Sequence, residues 1–333
     1  MSKSSGARIY RGTPRNLAML ANKLREGQLV AVPTETVYGL AGNALDPIAC
    51  RRIFKAKGRP TNDPLIVHIH SFDQLPEIAD SNSIALKLAE AYWPGPLTLI
   101  LPKKPVIPGL ITAGLDSVAV RMPNHRLLRQ LLKKCGLPLA IPSANLFGYI
   151  SPTTAEHVRL GLQRKIHYIL DGGPAAIGLE STILDVRDPE KIRLLRPGSI
   201  TPAQIQTKLG LVVRASRPGS TSKVQKQLAP GLLKRHYSPR TQLILHKKLS
   251  QNSANSATTD EAFLFFTKPK KPLSAHIYWL DEIGDQENAA RQLFSKLRDL
   301  DAKGYRIINA EKAPTGAMSA AINDRLNRAA ARD

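Results

Sequence analysis

Residues 28–39 read QLVAVPTETVYG: a short apolar run from Gln28 to Val32 that breaks at Pro33 into the polar loop Thr34-Glu35-Thr36. A run of that length, rich in valine, reads as a buried strand. A loop of hydroxyls and a carboxylate at its end is where open α/β sheets collect ligands. Just upstream, Thr13-Pro14 predicts an N-cap followed by proline at the first helical position. Leu17, Leu20, Ala21 and Leu24 then repeat at helical spacing, and Gly27 closes the helix. Downstream, Asp46-Pro47 opens a second helix with Cys50, Ile53 and Phe54 on one face. The apolar pattern predicts further strands at 65–69, 97–101, 118–122, 137–141, 166–170 and 181–186. Helices are expected at 83–92 and 124–135, and a third is expected to be capped at Ser151-Pro152. Several strands follow one another without a helix, so the expected sheet is α/β, twisted and mixed in direction.

The chain has 333 residues, enough for two domains. With 42% hydrophobic and 22% charged residues it is globular in composition, and no stretch approaches the ~20 apolar residues of a membrane span. No secretory signal is visible. Cys50 and Cys135 make neither a disulfide framework nor a four-cysteine zinc site, and both sit in apolar runs, as buried thiols of a reducing cytoplasm do. The formal charge of +22 calls for an anionic partner. Aromatic residues are only 5%, few for a stacking platform on single-stranded nucleic acid.

Between Lys191 and Thr259 there is no Asp or Glu against thirteen Lys or Arg. The middle of that stretch lacks apolar periodicity and reads as an extended connector. The expected organisation is therefore a domain over 1–210, a basic linker over 211–240 and a small α/β domain over 241–333. In the last, strands are expected at 242–245, 262–266 and 276–280 and helices at 287–300 and 318–330, with a polar loop at 250–259.

The common nucleotide signatures, Gly-x-x-x-x-Gly-Lys-Ser/Thr and Gly-x-Gly-x-x-Gly, are missing, as are His-Glu-x-x-His and any metal-spaced His/Cys cluster. Polar residues instead gather where strands end: Thr34 to Thr36, Lys57 with Arg59, Arg121 inside an apolar strand, Ser143 with Asn145, and Glu180 to Thr182. Taken singly, each has a plainer reading. Arg121 reads as an edge residue, His68 (alternating with apolar neighbours) as a structural histidine, and Ser143 and Ser151 as a turn and a cap. Glu35 reads equally as a general base or as a tie for its own loop. Their joint order along the chain outweighs those separate readings.

The strings PTETVYGL, IFKAKGRPTNDPLIVHI, WPGPLTLIL, VAVRMPNH, PSANLFGYISPTTAEHV, DGGPAAIGLESTILD and LRPG resemble the L-threonylcarbamoyladenylate synthase family, the YrdC-type proteins. APGLLKRHYSPR (229–240) and the closing AINDRLNRAA resemble the linker and C-terminal domain of its two-domain members, the latter Rossmann-like. The resemblance implies condensation of L-threonine, bicarbonate or carbon dioxide, and ATP with Mg2+ into threonylcarbamoyl-AMP and pyrophosphate, feeding tRNA threonylcarbamoyladenosine. It implies a signature tetrad of Lys57, Arg59, Ser143 and Asn145. Threonine would be held by Arg121 through its carboxylate, by Thr36, His68 and Ser181, and by the backbone at Ile141. ATP contacts would be Arg59, Asp63, Ser117, Ser143, Ser151 and Arg196, with His236 and Tyr237 of the linker folding over the site. The chain departs from the family at Ile141, bulkier than alanine and expected to tighten the threonine pocket, at Phe147, and at Asn62-Asp63. A rival reading of the charge is a double-stranded RNA or tRNA-binding protein without catalysis. A third, a carbamoyl transferase domain of hydrogenase maturation, lacks its acylphosphatase and zinc-finger segments here. Transient contact with tRNA or the threonylcarbamoyl transferase machinery would use the excess charge, and no membrane partner is expected.

Overall fold

The computed structural model describes residues 6–215, 228–231, 235–270 and 274–331. They form two compact units, one of residues 1–147, 152–175 and 180–232, the other of 148–151, 176–179 and 233–333. Much of the linker, including Lys234, lies outside the described residues.

In the first unit the strands are β1 (Arg8–Arg11), β2 (Val30–Val32), β3 (Gly39–Asn43), β4 (Ile66–His68), β5 (Leu97–Pro102), β6 (Ser117–Arg121), β7 (Leu139–Ala140), β8 (Tyr168–Asp171), β9 (Thr182–Asp185), β10 (Arg193–Arg196) and β11 (Arg214–Ala215). The helices are α1 (Pro14–Arg25), α2 (Pro47–Lys57), α3 (Leu75–Ile78), α4 (Ser83–Tyr92), α5 (Arg126–Cys135), α6 (Ala155–Leu162) and α7 (Pro202–Leu209). The strands make one sheet in the order β1-β8-β2-β3-β7-β4-β6-β5-β9-β10-β11. The sheet contains both parallel and antiparallel pairs, as expected for a mixed sheet.

The helix starts expected at Thr13-Pro14 and Asp46-Pro47 are met. Thr13 Oγ1 accepts from Asn16 N at 3.2 Å, and Asp46 Oδ1 accepts from Ile48 N at 2.7 Å, each satisfying an orphan first-turn donor beside a proline. Helix α2 ends at Gly58 with φ of +62°, so its last residue is Lys57. Four strands of this unit, β1, β3, β10 and β11, escape sequence patterning. β1 is a four-residue edge, and β3 (GLAGN) is glycine-rich because space demands it: a Cβ on Gly39 would lie 2.2 Å from Ile141 Cγ2.

Strand alternation gives the sheet two unlike faces. Val67, Val120, Leu99 and Leu184 are register partners on one face and belong to the main core. Ile66, Ala119 and Ile100 stand opposite one another on the other face, where with Ile183 and Ala229 they make only a small apolar cluster. That sparse face carries the polar residues described below.

The second unit holds a four-stranded parallel sheet ordered β12-β15-β13-β14, made of β12 (Gln242–His246), β13 (Glu261–Thr267), β14 (Ile277–Asp281) and β15 (Ile307–Glu311). Its helices are α8 (Gln251–Ser256), α9 (Gln286–Ala302) and α10 (Ser319–Ala330). The expected polar loop at 250–259 contains a helix instead. Ser250 Oγ caps it by accepting from Ser253 N at 3.3 Å, and Ala254 alone is buried, so no apolar stripe announced it. Strand β15, between β12 and β13, was not foreseen.

Candidate active site

Period-two alternation along β6 points Ser117, Ala119 and Arg121 to the sparse face. Pairing adds His68 opposite Arg121, and Ile66 opposite Ala119. The run of register from β6 to β5 brings Thr98 beside Arg121, and Ile183 of β9 stands opposite Thr98. Two polar groupings result, separated along β6 by the four-residue step from Ser117 to Arg121, roughly 13 Å. The apolar floor of Ile66, Ala119 and Ile100 lies between them.

The first grouping centres on Arg121. Its Nε donates to Gly95 O at 3.0 Å, its Nη1 donates to Thr36 Oγ1 at 3.0 Å, and its Nη2 pairs with Glu35 Oε1 at 2.5 Å. Glu35 Oε1 also accepts from Asn124 N at 2.9 Å, so Glu35 ties its loop to Arg121. Thr34 Oγ1 closes that loop, accepting from Thr36 N at 3.0 Å and Val37 N at 3.1 Å. His68 is buried, and burial first and the Arg121 charge second hold its pKa well below the ordinary range, so the ring is neutral at pH 7. Ser181 Oγ lies 2.8 Å from Thr98 Oγ1 and accepts from Arg196 Nη2 at 3.1 Å. Thr98 carried no motif signal; its place on the strand face is what reveals it.

The second grouping is cationic. Lys57 Nζ donates to Ser143 O at 2.5 Å and to Asn145 O at 2.7 Å, so the lysine is buried holding the Ser-x-Asn loop by two carbonyls. Burial first, then the Arg59 charge, pull its pKa well below the lysine range. Arg59 Nε donates to Asp63 O at 3.0 Å, its Nη2 donates to Pro64 O at 2.7 Å, and its guanidinium lies over the Phe147 ring at 6.0 Å. Asp63 Oδ1 pairs with Arg59 Nη2 at 2.9 Å. Burial raises the Asp63 pKa, while Arg59, Lys57 and Arg196 act to lower it. The anticipated clash of Asp63 with phosphate is thus set against three surrounding cations. Arg196 joins the two groupings: it bonds to Ser181 and its field reaches Asp63.

The linker residues 228–231 lie on the same face. Ala229 is fully buried in the apolar cluster, and Pro230 O accepts from Arg196 Nη1 at 3.3 Å. Ile141 donates its N–H to Ile66 O at 2.9 Å, but its side chain belongs to the core shared with α1 and α5. Its bulk fills the space over Gly39 rather than tightening the threonine pocket.

Three expected residues belong to the second unit. Ser151 is no helix cap; Thr154 Oγ1 does that work for α6, accepting from His157 N at 3.1 Å. The Tyr237 ring is stacked on Phe294 at 5.4 Å, with the Arg325 guanidinium 5.4 Å from its centroid, so partners sit against it within its own unit. His236, also buried, packs edge-on against Tyr237 at 4.1 Å. Among the described residues no group of three His, Cys, Asp or Glu is arranged to hold a metal, and no helix is long and apolar enough to cross a membrane.

Residues 22–198 match the family model Sua5–YciO–YrdC, described as telomere recombination, and residues 200–331 match the threonylcarbamoyl-AMP synthase C-terminal domain. The chain is 41% identical to the threonylcarbamoyl-AMP synthase of Pyrococcus abyssi over 94% of its length and 93% of that protein. The threonylcarbamoyl-AMP synthase of Vibrio vulnificus is 36% identical over 55% of this chain, which spans 98% of that shorter protein. The crystal structure of P. abyssi Sua5 complexed with L-threonine superposes with a TM-score of 0.89 at 38% identity, covering 97% of this chain and 98% of that one. The relatives bear an enzyme's name, which favours catalysis over a purely RNA-binding role. The chain belongs to the Sua5–YciO–YrdC family, in the two-domain form that carries the threonylcarbamoyl-AMP synthase C-terminal domain.

Proposed function

We propose that this protein is a threonylcarbamoyl-AMP synthase that joins L-threonine, bicarbonate or carbon dioxide, and Mg–ATP. The observation that carries the reading is the two-part layout of one sheet face, a polar end around Arg121 and a cationic end with a small apolar floor between. In the first step the threonine amine attacks the one-carbon unit and a C–N bond forms; from carbon dioxide a proton is released, from bicarbonate a C–O bond breaks and water leaves, and either route gives the carbamate. A carbamate oxygen then attacks the α-phosphate, and the bond from that phosphorus to the bridging oxygen breaks to free pyrophosphate. No protein nucleophile enters the balance. Positioned charge and exclusion of water do the work.

On this reading Arg121 takes the threonine carboxylate, a planar guanidinium being suited to bidentate pairing, while Glu35 aims it. Thr36, the neutral His68, Ser181 and the backbone at Ile141 complete the amino-acid end. Lys57 and Asn145 shape the loop that carries Ser143, and Arg59, Asp63, Ser117, Ser143 and Arg196 face the nucleotide. Ser151 and His236 are assigned to the nucleotide as well. Tyr237, stacked on Phe294 with Arg325 against its ring, is assigned to the nucleotide with them. Magnesium arrives on the triphosphate, with phosphates and water supplying most of its ligands. The reading carries a cytoplasmic setting with it, and charge beyond a triphosphate's need suits contact with tRNA or the transferase that consumes the product. The test is pyrophosphate release from ATP with bicarbonate and L-threonine. Release that stops when threonine is omitted is expected; release indifferent to threonine, or none with all three present, would overturn the reading.

A further inference from the structure

The second unit includes residues 148–151, which follow Ser143-Asn145-Phe147 directly in the chain and end on Ser151. Helix α9 grips this short loop with two side chains, Arg298 and Asp301. Arg298 donates from Nε to Ser151 O at 3.2 Å and from Nη2 to Ile150 O, and its guanidinium lies 4.9 Å from the Tyr149 ring centroid. Asp301, one turn further along α9, accepts from Tyr149 Oη at 2.7 Å and from Thr241 N at 2.8 Å. Ser238 N donates to Gly148 O at 2.8 Å, closing the other end. Two carbonyls, a ring and a phenol of one four-residue loop are thereby held from a single helix.

Arg298 is 9% exposed, and burial draws its pKa down to about 10; Tyr149 is pushed up to about 12, by burial first and then by its bond to Asp301. A buried guanidinium is costly unless its donors are used. Here they are spent on the backbone of a loop and not on another helix of the same unit. The Vibrio vulnificus relative, whose whole length corresponds to little more than half of this chain, bears the same enzyme name.

We infer that Arg298, with Asp301 and Tyr149, is a positioning residue that sets the loop 148–151 for nucleotide binding, so that the C-terminal unit serves the reaction as a clamp. The inference rests on the proposed reading in that it places the loop carrying Ser151 at the ATP site. A charge-assisted bond to each of two carbonyls disappears in Arg298→Met, which keeps the stem's bulk. The KM for ATP should rise about 10-fold or more while the KM for threonine stays within about twofold. Arg298→Lys, with one donor able to reach a carbonyl, should recover part of the loss. Tyr149→Phe, which keeps the ring under Arg298 and removes the bond to Asp301, should give a smaller shift of the same kind. Hydrogen exchange over 148–151 should quicken in Arg298→Met.

An equal rise in both KM values, or no rise in either, would overturn the inference. Quickened exchange with an unchanged KM for ATP would also do so, since the clamp would then have no bearing on the nucleotide. Should Ser151→Ala leave the KM for ATP unchanged while Arg298→Met raises it, the clamp stands and the nucleotide role of Ser151 itself falls.

Discussion

Replacing Arg121 by alanine removes three contacts at once: the bond to Gly95 O, the bond to Thr36 Oγ1, and the pair with Glu35. The third dominates stability. Glu35's side chain is 9% exposed and keeps only the Asn124 N–H once the guanidinium is gone. Breaking a buried pair by deleting one partner costs about 3–5 kcal/mol, and the remaining amide places this case near the lower end, about 3 kcal/mol. Adding Glu35→Gln removes the stranded charge and should return most of that loss. Ligand affinity should behave differently. A charge-assisted pair with the threonine carboxylate is worth about 1.5–3 kcal/mol, or about 10- to 150-fold in Kd. That loss should persist in both the single and the double variant. Thermal melts give the first quantity and calorimetric titration with L-threonine the second. A double variant that regains threonine affinity along with stability, or a single variant as stable as the parent, would refute the reasoning.

Three other expectations follow from particular contacts. Gly198→Ala puts a Cβ 2.4 Å from Thr182 N and 2.8 Å from Ser181 C, so about 1–3 kcal/mol of stability and much of the threonine affinity should be lost together; an unperturbed melt would contradict this. Because the His68 pKa is depressed in the fold, the unfolded chain takes up a proton below pH ~6.5 that the folded one refuses, so stability falls with acidification by about 1.4 kcal/mol per pH unit. The difference from His68→Gln melts between pH 8 and 5 isolates that slope, and parallel curves would sink it. Cys50 is wholly buried with its pKa pushed up to about 12, and Cys135 is buried with its pKa raised. Native protein should therefore resist a thiol reagent that titrates both in denaturant, and fast native labelling would show otherwise.

Much of this architecture could be read from the residues because local signals agreed with the fold. The Thr13-Pro14 and Asp46-Pro47 starts, the Leu17–Leu24 stripe and the run of β5 each carry their own cap or period. What stayed hidden was non-local. Strand β3 is built of glycines selected by Ile141 and Ile53 across the core, and β1 is a short edge needing β8 as its partner. In the site, the family strings led to Lys57, Arg121 and Ser181, but not to how they are used. That Lys57 spends its donors on two carbonyls, or that Thr98 reaches Ser181 from a neighbouring strand, depends on sheet register. Arg298 and Arg325 drew no notice because an arginine on an amphipathic helix ordinarily faces water. The resemblance gives Tyr237 a place over the nucleotide, while its packing against Phe294 and Arg325 shows only in the structure.

The central claim is that a threonine, a one-carbon unit and a nucleotide meet on one sheet face to become a single molecule. Its most direct measurement is mass analysis of the product formed from 13C-labelled bicarbonate, L-threonine and Mg–ATP. A nucleotide species containing threonine, AMP and the labelled carbon, formed together with pyrophosphate, is the predicted result. AMP formed without threonine and label joined to it would contradict the account.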